Sequence, residues 1–169
     1  KQVWLDIKKK PVSKKIDASG IYVAESGNIW EAWLIERYKS IGIYLDHDIT
    51  LIDNELQLSG KLDILHINPE TGDREVTEVK TYSSSSYYAT KNIMGFREQL
   101  PRPKDDHLLQ SIKYLMMLKE YDINVVNIVY LDRACKSFFN NKQFKVYLEG
   151  DEVFYETFYR NELIKCHID

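Results

Sequence analysis

The sequence places three ionisable residues that could take part in catalysis near one another: Asp63, Glu78 and Lys80. They lie in two runs rich in β-branched and apolar residues, 56–67 and 74–82, and the segment between the runs contains proline and glycine. Such runs on either side of a turn predict a β-hairpin. The hairpin would carry two acids and a lysine, a combination suited to holding a cation beside a reacting group.

Pairing parity predicts how close the two acids come. If Ile67 pairs with Arg74 across the turn, Asp63 falls opposite Glu78, and directly opposed Cβ atoms lie roughly 4.5–5.5 Å apart. Carboxylates at that separation can share a divalent cation. Lys80 lies two residues beyond Glu78, so its ammonium points to the same face of the strand.

The residues next to these charged residues in the sequence are apolar. Leu62, Ile64 and Val79 are expected on the opposite face of the hairpin, where they can pack in a core. An alternative interpretation is a surface strand with alternating charges. Because an unpaired charge is costly inside a core hairpin, the apolar neighbours favour a functional role for the charged residues.

Composition predicts one folded domain. Hydrophobic residues make up 44% of the 169 residues and aromatic residues 12%, which excludes a disordered chain. We divide the domain into a basic arm at 1–19, a core at 20–132 and a C-terminal strand and helix at 133–169. The two cysteines and the lack of a long apolar run predict reduced thiols, no membrane partner and a cytoplasmic protein. Because the first residue is lysine rather than methionine, we expect a piece of a longer protein.

The net charge of −3 is unevenly distributed, because lysines concentrate in 1–15 and acids in 149–169. The basic arm is either a phosphate contact or a solvated terminus. Periodicity and turn residues predict further elements: a helix at 26–40, a strand at 43–52, a helix and exposed loop at 87–106, a helix at 105–121, strands at 123–132 and 142–148, and a helix at 151–165. This order predicts an α/β fold with a mixed central β-sheet flanked by helices on both sides.

Glycine and aspartate on one strand, Gly60 and Asp63, followed by the Glu-x-Lys of Glu78 and Lys80, resemble the PD-(D/E)XK nuclease superfamily. The resemblance covers about residues 20–132. It implies a restriction-endonuclease-like core and a single nuclease domain.

Gln110 and Tyr114 form a Gln-x-x-x-Tyr pattern similar to the RecB-type branch, which includes CRISPR-adaptation and phage recombination exonucleases. Their spacing places both on one helical face. The resemblance implies that they orient the catalytic lysine and DNA phosphates. Alternatively, Gln110 and Tyr114 are an amide and an aromatic side chain on a helix surface with no role in catalysis.

Gly27 and Glu31 resemble the Gly-x-x-x-Glu form of the family's early helix, so Glu31 is the further ligand implied, with Glu36 a weaker alternative. The resemblance implies one or two Mg²⁺ or Mn²⁺ ions and no iron–sulfur cluster, since that branch needs more cysteines than the chain has. The implied metal ligands are Glu31, Asp63, Glu78 and the carbonyl of Val79. The implied catalytic residues are Asp63, Glu78, Lys80 and Glu31.

Aromatic and basic residues also follow the hairpin. Tyr87, Tyr88, Lys91 and Arg97 combine stacking faces with positive charge, as in surfaces that bind single-stranded nucleic acid. A simple amphipathic helix explains them equally well. His107 lies near Gln110 on its predicted helix, and both DNA contact and packing are open to it.

The implied activity is metal-dependent hydrolysis of DNA, by an exonuclease on ends or single-stranded tails in recombination, repair or defence, in a bacterial or phage-infected cell. Alternatives are a structure-specific or RNA-cleaving endonuclease of the same fold, and a nucleic-acid-binding subunit of a helicase or packaging assembly. A protein partner or homo-oligomer is also open. Lys80 has two possible roles, deprotonating the attacking water or stabilising the transition state as a cation.

Overall fold

A computed structural model describes residues 18–55, 57–96, 99–134 and 141–168. The predicted basic arm lies outside these residues except at 18–19, where the first helix begins. The helices are α1 (Ala18–Ser40), α2 (Tyr87–Met94) and α3 (Asp105–Leu118), and a 3₁₀ turn (Lys119–Tyr121) follows α3. The strands are β1 (Tyr44–Asp53), β2 (Leu58–Ile67), β3 (Arg74–Tyr82), β4 (Val125–Asp132), β5 (Lys142–Glu149), β6 (Glu152–Tyr159) and β7 (Glu162–Ile168).

The strands form one seven-stranded sheet in sequence order, from β1 to β7. Strands β3 and β4 are parallel, and every other neighbouring pair in the described sheet is antiparallel. The mixed sheet predicted from the sequence is therefore confirmed, although it is mostly antiparallel. Strand β4 lies in the middle, and its Val126, Ile128 and Tyr130 are fully buried, in accord with its near-continuous apolar run.

The central hairpin has the predicted register where its strands pair. Four pairs connect β2 with β3, from Ile67 with Arg74 to Ile64 with Thr77. The ladder ends there, so the predicted pair of Asp63 and Glu78 is not formed and that prediction is wrong. The strands part at the residues that were expected to hold the cation.

Strand β2 also changes its alternation at this point. Leu62 belongs to the core beneath α3, whereas Ile64 packs beneath α1 with Val79. The prediction that Leu62, Ile64 and Val79 share a face is therefore wrong for Leu62. Residues i and i+2 of a regular strand share a face, so the core contacts of Leu62 and Ile64 do not follow simple strand alternation.

The two long helices cover opposite faces of the sheet. Leu34 and Ile35 of α1 pack in the core cluster that includes Val79, while Leu115 of α3 packs in the cluster that includes Val76. Because Val76 and Val79 are an odd number of positions apart on β3, they point to opposite faces. A sheet with helices on both faces is what the sequence predicted.

The predicted helix at 151–165 is wrong, because this segment forms the hairpin of β6 and β7. Along β6, Tyr155 and Thr157 are buried and their neighbours are more exposed, which is the two-residue period of a strand. Arg160 and Asn161 at the turn have φ values of 52° and 66°, as a tight hairpin turn requires.

In the loop after α2, which was predicted to be exposed, Gln99, Leu100, Arg102 and Lys104 are exposed, whereas Pro101 and Pro103 are buried. Cys166 is a free cysteine. None of the helices in the described ranges is both long enough and apolar enough to cross a membrane.

Candidate functional site

A cleft of about 340 Å³ lies where α1, the parting strands β2 and β3, and the start of α3 meet. It is lined by Glu31, Asp63, Val79 and Lys80, which the sequence had assigned to one site. These residues come from three separate elements. The fold therefore brings them to one cleft.

The side chain of Asp63 accepts a backbone hydrogen bond from β3 where the β2–β3 pairing has ended. The backbone N–H of Val79 donates to Asp63 Oδ2 at 2.7 Å. This bond holds the carboxylate at the gap between the strands and satisfies an amide that the hairpin leaves unpaired. Burial raises the pKa of Asp63, and this amide and the charge of Lys80 offset part of that shift.

Glu78 is the most buried acid of the site, with 2% of its side chain exposed. Its Oε1 accepts hydrogen bonds from Lys80 Nζ at 2.6 Å and from Gln110 Nε2 at 2.5 Å. Its Oε2 has no hydrogen-bond partner among the described residues. Burial, reinforced by the charge of Asp63, raises the pKa of Glu78 to about 7.

The Gln-x-x-x-Tyr pair connects α3 to both strands of the hairpin. Gln110 Nε2 donates to Tyr114 Oη at 2.8 Å, and Tyr114 Oη donates to the carbonyl oxygen of Lys61 at 2.6 Å. The predicted common helical face is therefore confirmed. Tyr114 is 1% exposed, so its position fits a residue that orients Gln110 and Glu78.

Gly60 makes this close packing possible. A Cβ at Gly60 would lie 2.5 Å from Cε1 of Tyr114. The glycine of the sequence motif thus lets the aromatic ring approach the β2 backbone.

Glu31 reaches the cleft from α1. Burial raises its pKa, with further contributions from the negative charges of Asp63 and Asp48. Gly27 lies one turn earlier in the cleft wall, and a Cβ there would meet no atom within 4 Å. The cleft therefore has open space at Gly27, one helical turn from Glu31.

Comparison of the chain with protein-family models, curated proteins and solved structures found no match.

The donors around the cleft are carboxylates, which suit hard divalent cations. In the described part of the chain, however, no three side chains of histidine, cysteine, aspartate or glutamate lie close enough together to hold a metal ion. Asp63 interacts electrostatically with both Glu31 and Glu78. Coordination by all three acids would thus require side-chain movement towards Asp63.

Of the predicted substrate-binding residues after the hairpin, Tyr87 and Lys91 do not line this cleft. Tyr87 is 59% exposed and contacts the ring of Phe96, with ring centroids 6.1 Å apart. Lys91 is half-buried on α2 and, like Tyr87, is not part of the cleft wall. The side chain of Tyr88 and the whole of Arg97 lie outside the described residues.

Sequence reasoning missed two residues that bear on the site. Lys104, just before α3, lines the cleft. Asp48 is a further acid beside Glu31, with a left-handed φ of 58° and an ion pair to Lys61 at 2.5 Å. Asp48 belongs to a strand with no sequence motif, and Lys104 lies in a loop, so neither carried a signal that spacing could detect.

Proposed function

We propose that this protein is a metal-dependent nuclease that hydrolyses DNA phosphodiester bonds at ends or in single-stranded tails. The observation that carries the proposal is the cleft lined by Glu31, Asp63, Val79 and Lys80 beside the buried Glu78. The preference for ends and tails follows from the RecB-type resemblance of Gln110 and Tyr114.

The charge balance of the site favours a divalent cation. Glu31, Asp63 and Glu78 all have raised pKa values because burial disfavours their charged forms. Lys80 neutralises one carboxylate oxygen, while Glu78 Oε2 has no partner among the described residues. Mg²⁺ or Mn²⁺ would add the missing positive charge, and Glu31, Asp63, Glu78 and the Val79 carbonyl are the candidate ligands.

When bound, such a metal supplies an acidified water and positive charge for a phosphate centre. The chain supplies the positioning. The Val79 amide and Gln110 fix the carboxylates of Asp63 and Glu78, respectively. Lys80 is held 2.6 Å from Glu78 Oε1 and also lines the cleft, where its ammonium can stabilise charge that develops on a substrate phosphate.

Cleavage of labelled DNA, with the label at the ends of linear substrates and within circular ones, tests the proposal. The parent is incubated with linear and circular single-stranded DNA and with linear duplex, in Mg²⁺, Mn²⁺ or chelator. We expect cleavage of the linear substrates that chelator abolishes. Cleavage of circular DNA would show an internal mode and overturn the proposed preference for ends.

Variants then assign the activity to this cleft. Asp63→Asn and Lys80→Met should each lower the cleavage rate by at least about a hundredfold, because they remove a ligand and a charge from the reacting centre. Asp73→Asn changes an exposed acid in the hairpin turn and serves as the matched control. Parent-like rates in both site variants would contradict the proposal.

A nucleic-acid-binding subunit with little activity is the second candidate. It is favoured by the lack of a ready three-ligand group among the described side chains. Calorimetry with Mn²⁺ on the parent and on Asp63→Ala separates the two functions when combined with the cleavage assay. Oligonucleotide binding with neither Mn²⁺ binding nor cleavage by the parent would favour the binding subunit.

A further inference from the structure

His107 lies in the first turn of α3 and lines the same cleft as Lys80 and Lys104. Its side chain is 18% exposed, so most of the ring is packed in the protein while part reaches the cleft. It is not among the candidate metal ligands.

A hydrogen-bond relay indicates which ring nitrogen carries the proton. The backbone N–H of Lys104 donates to Tyr130 Oη at 3.0 Å, and Tyr130 Oη lies 2.7 Å from His107 Nδ1. Tyr130 is fully buried, and Nδ1 is the acceptor that the described residues offer to its hydroxyl proton. We assign Tyr130 as the donor to Nδ1, because its buried hydroxyl proton would otherwise lack an acceptor among the described residues. In the neutral ring, Nε2 must then carry the proton.

Burial and the surrounding charges keep the imidazole neutral. Burial, together with the nearby cations Lys80 and Lys104, lowers the pKa of His107 to about 4 against the opposing effect of Asp106. Asp106 Oδ1 is 3.9 Å from Nε2, which is too long for a hydrogen bond. The Nε2–H group is thus an uncharged donor beside two lysines.

We propose that Nε2–H of His107 donates a hydrogen bond to a non-bridging oxygen of the substrate phosphate, beside Lys80. This inference rests on the proposed nuclease function and adds a substrate-contacting residue to it. Phosphate oxygens accept such bonds, and an uncharged donor adds no repulsion against Lys80 and Lys104. Tyr130 is a positioning residue, because it acts by fixing the orientation of the ring.

The test observes the ring nitrogens directly. Proton–nitrogen correlation NMR on the ¹⁵N-labelled parent, in chelator and at neutral pH, reports which His107 nitrogen is protonated. A short single-stranded oligodeoxynucleotide is then added. We expect a protonated Nε2 in the free protein and a shift of its resonance when the oligonucleotide binds.

Variants relate the contact to catalysis. His107→Phe keeps a ring but removes the donor, and should lower kcat/KM by about a hundredfold, the scale of losing one preorganised donor. His107→Gln keeps an N–H donor near the position of Nε2, and should recover most of that loss. Tyr130→Phe should move the proton of the free imidazole towards Nδ1 and raise the pKa of His107, which a merely structural tyrosine would not do.

The outcomes separate this inference from the proposed function. If the parent cleaves DNA but Nε2–H does not respond, or if Nδ1 carries the proton, the inference is overturned and the nuclease function stands. If Nε2–H responds but the parent does not cleave, the phosphate contact stands and the nuclease function fails. Absence of both binding and cleavage overturns both.

Discussion

Glu78 is a carboxyl group buried in the core, and its burial disfavours the ionised form. The residue is held by Lys80 and Gln110 on one oxygen and has no partner on the other among the described residues. Burial therefore dominates, and the pKa of the carboxyl rises from 4.5 to about 7. Without a divalent ion, Glu78 therefore holds its proton more tightly than an ordinary glutamate does.

This shift makes a prediction about stability in the absence of metal. A carboxyl with a raised pKa binds its proton more tightly in the folded state, so its contribution to stability is complete below 4.5 and is lost as the pH rises through about 7. Relative to Glu78→Gln, the parent should lose free energy of unfolding over that range.

Urea denaturation in chelator, at a series of pH values, measures this difference. Glu70→Gln in the exposed hairpin turn is the control, and it should follow the parent at every pH. A constant difference between the parent and Glu78→Gln across the range would contradict the prediction.

At the scale of elements, α3 holds the β2–β3 hairpin in place through hydrogen bonds from its side chains. Its Gln110 and Tyr114 connect Glu78 of β3 to the backbone of β2. The connection requires the ring of Tyr114 to lie against Gly60. The sequence motif thus combines a glycine and a tyrosine that contact each other in the fold.

Two glycines should respond in opposite ways to alanine. Gly60→Ala places a methyl group 2.5 Å from the buried Tyr114 ring and should lower the free energy of unfolding by about 1–3 kcal/mol. Gly27→Ala meets no atom within 4 Å in the interior of α1, and should raise it by about 1 kcal/mol. If both substitutions changed the free energy of unfolding equally in chemical denaturation, packing of Gly60 against Tyr114 would not be the cause of the difference we expect.

The elements were predictable where periodicity and turn chemistry act locally. The hairpin register over the pairs from 64–67 and 74–77 follows from the turn, and Gln110 and Tyr114 share a face because helical spacing requires it. The parting of the strands at Asp63 was not predictable, because it depends on β3 pairing with β4 and on the side chain of Asp63 taking the Val79 amide. The relay from Tyr130 to His107 joins residues far apart in sequence and carries no local pattern.

At the scale of the whole molecule, the C-terminal hairpin belongs to the main core. Tyr155 of β6 is 5% exposed and its ring centroid is 5.8 Å from that of Phe144. Val153, Cys166 and Ile168 also pack against this core. The segment that helical periodicity had assigned to a helix therefore completes the sheet.

Truncating this contact should destabilise the protein. Tyr155→Ala should cost about 3–5 kcal/mol, the range for removing a buried aromatic side chain. Phe158→Ala on the same strand removes a ring that is 66% exposed, and should change stability by less than about 0.5 kcal/mol. A large effect of Phe158→Ala in thermal or urea unfolding would indicate that this ring is covered in solution.

The parallel pairing of β3 with β4 has a consequence for how the protein folds. Antiparallel neighbours can form through short local turns, but this pair requires the chain to close a long connection that contains α2 and α3. Pairings between distant segments form late, because the chain pays the entropy of loop closure before gaining their contacts. Since Lys80, Gln110 and His107 meet only once that connection is in place, a partly folded chain would have hairpins without the assembled cleft, and the proposed nuclease activity would begin only when folding is complete.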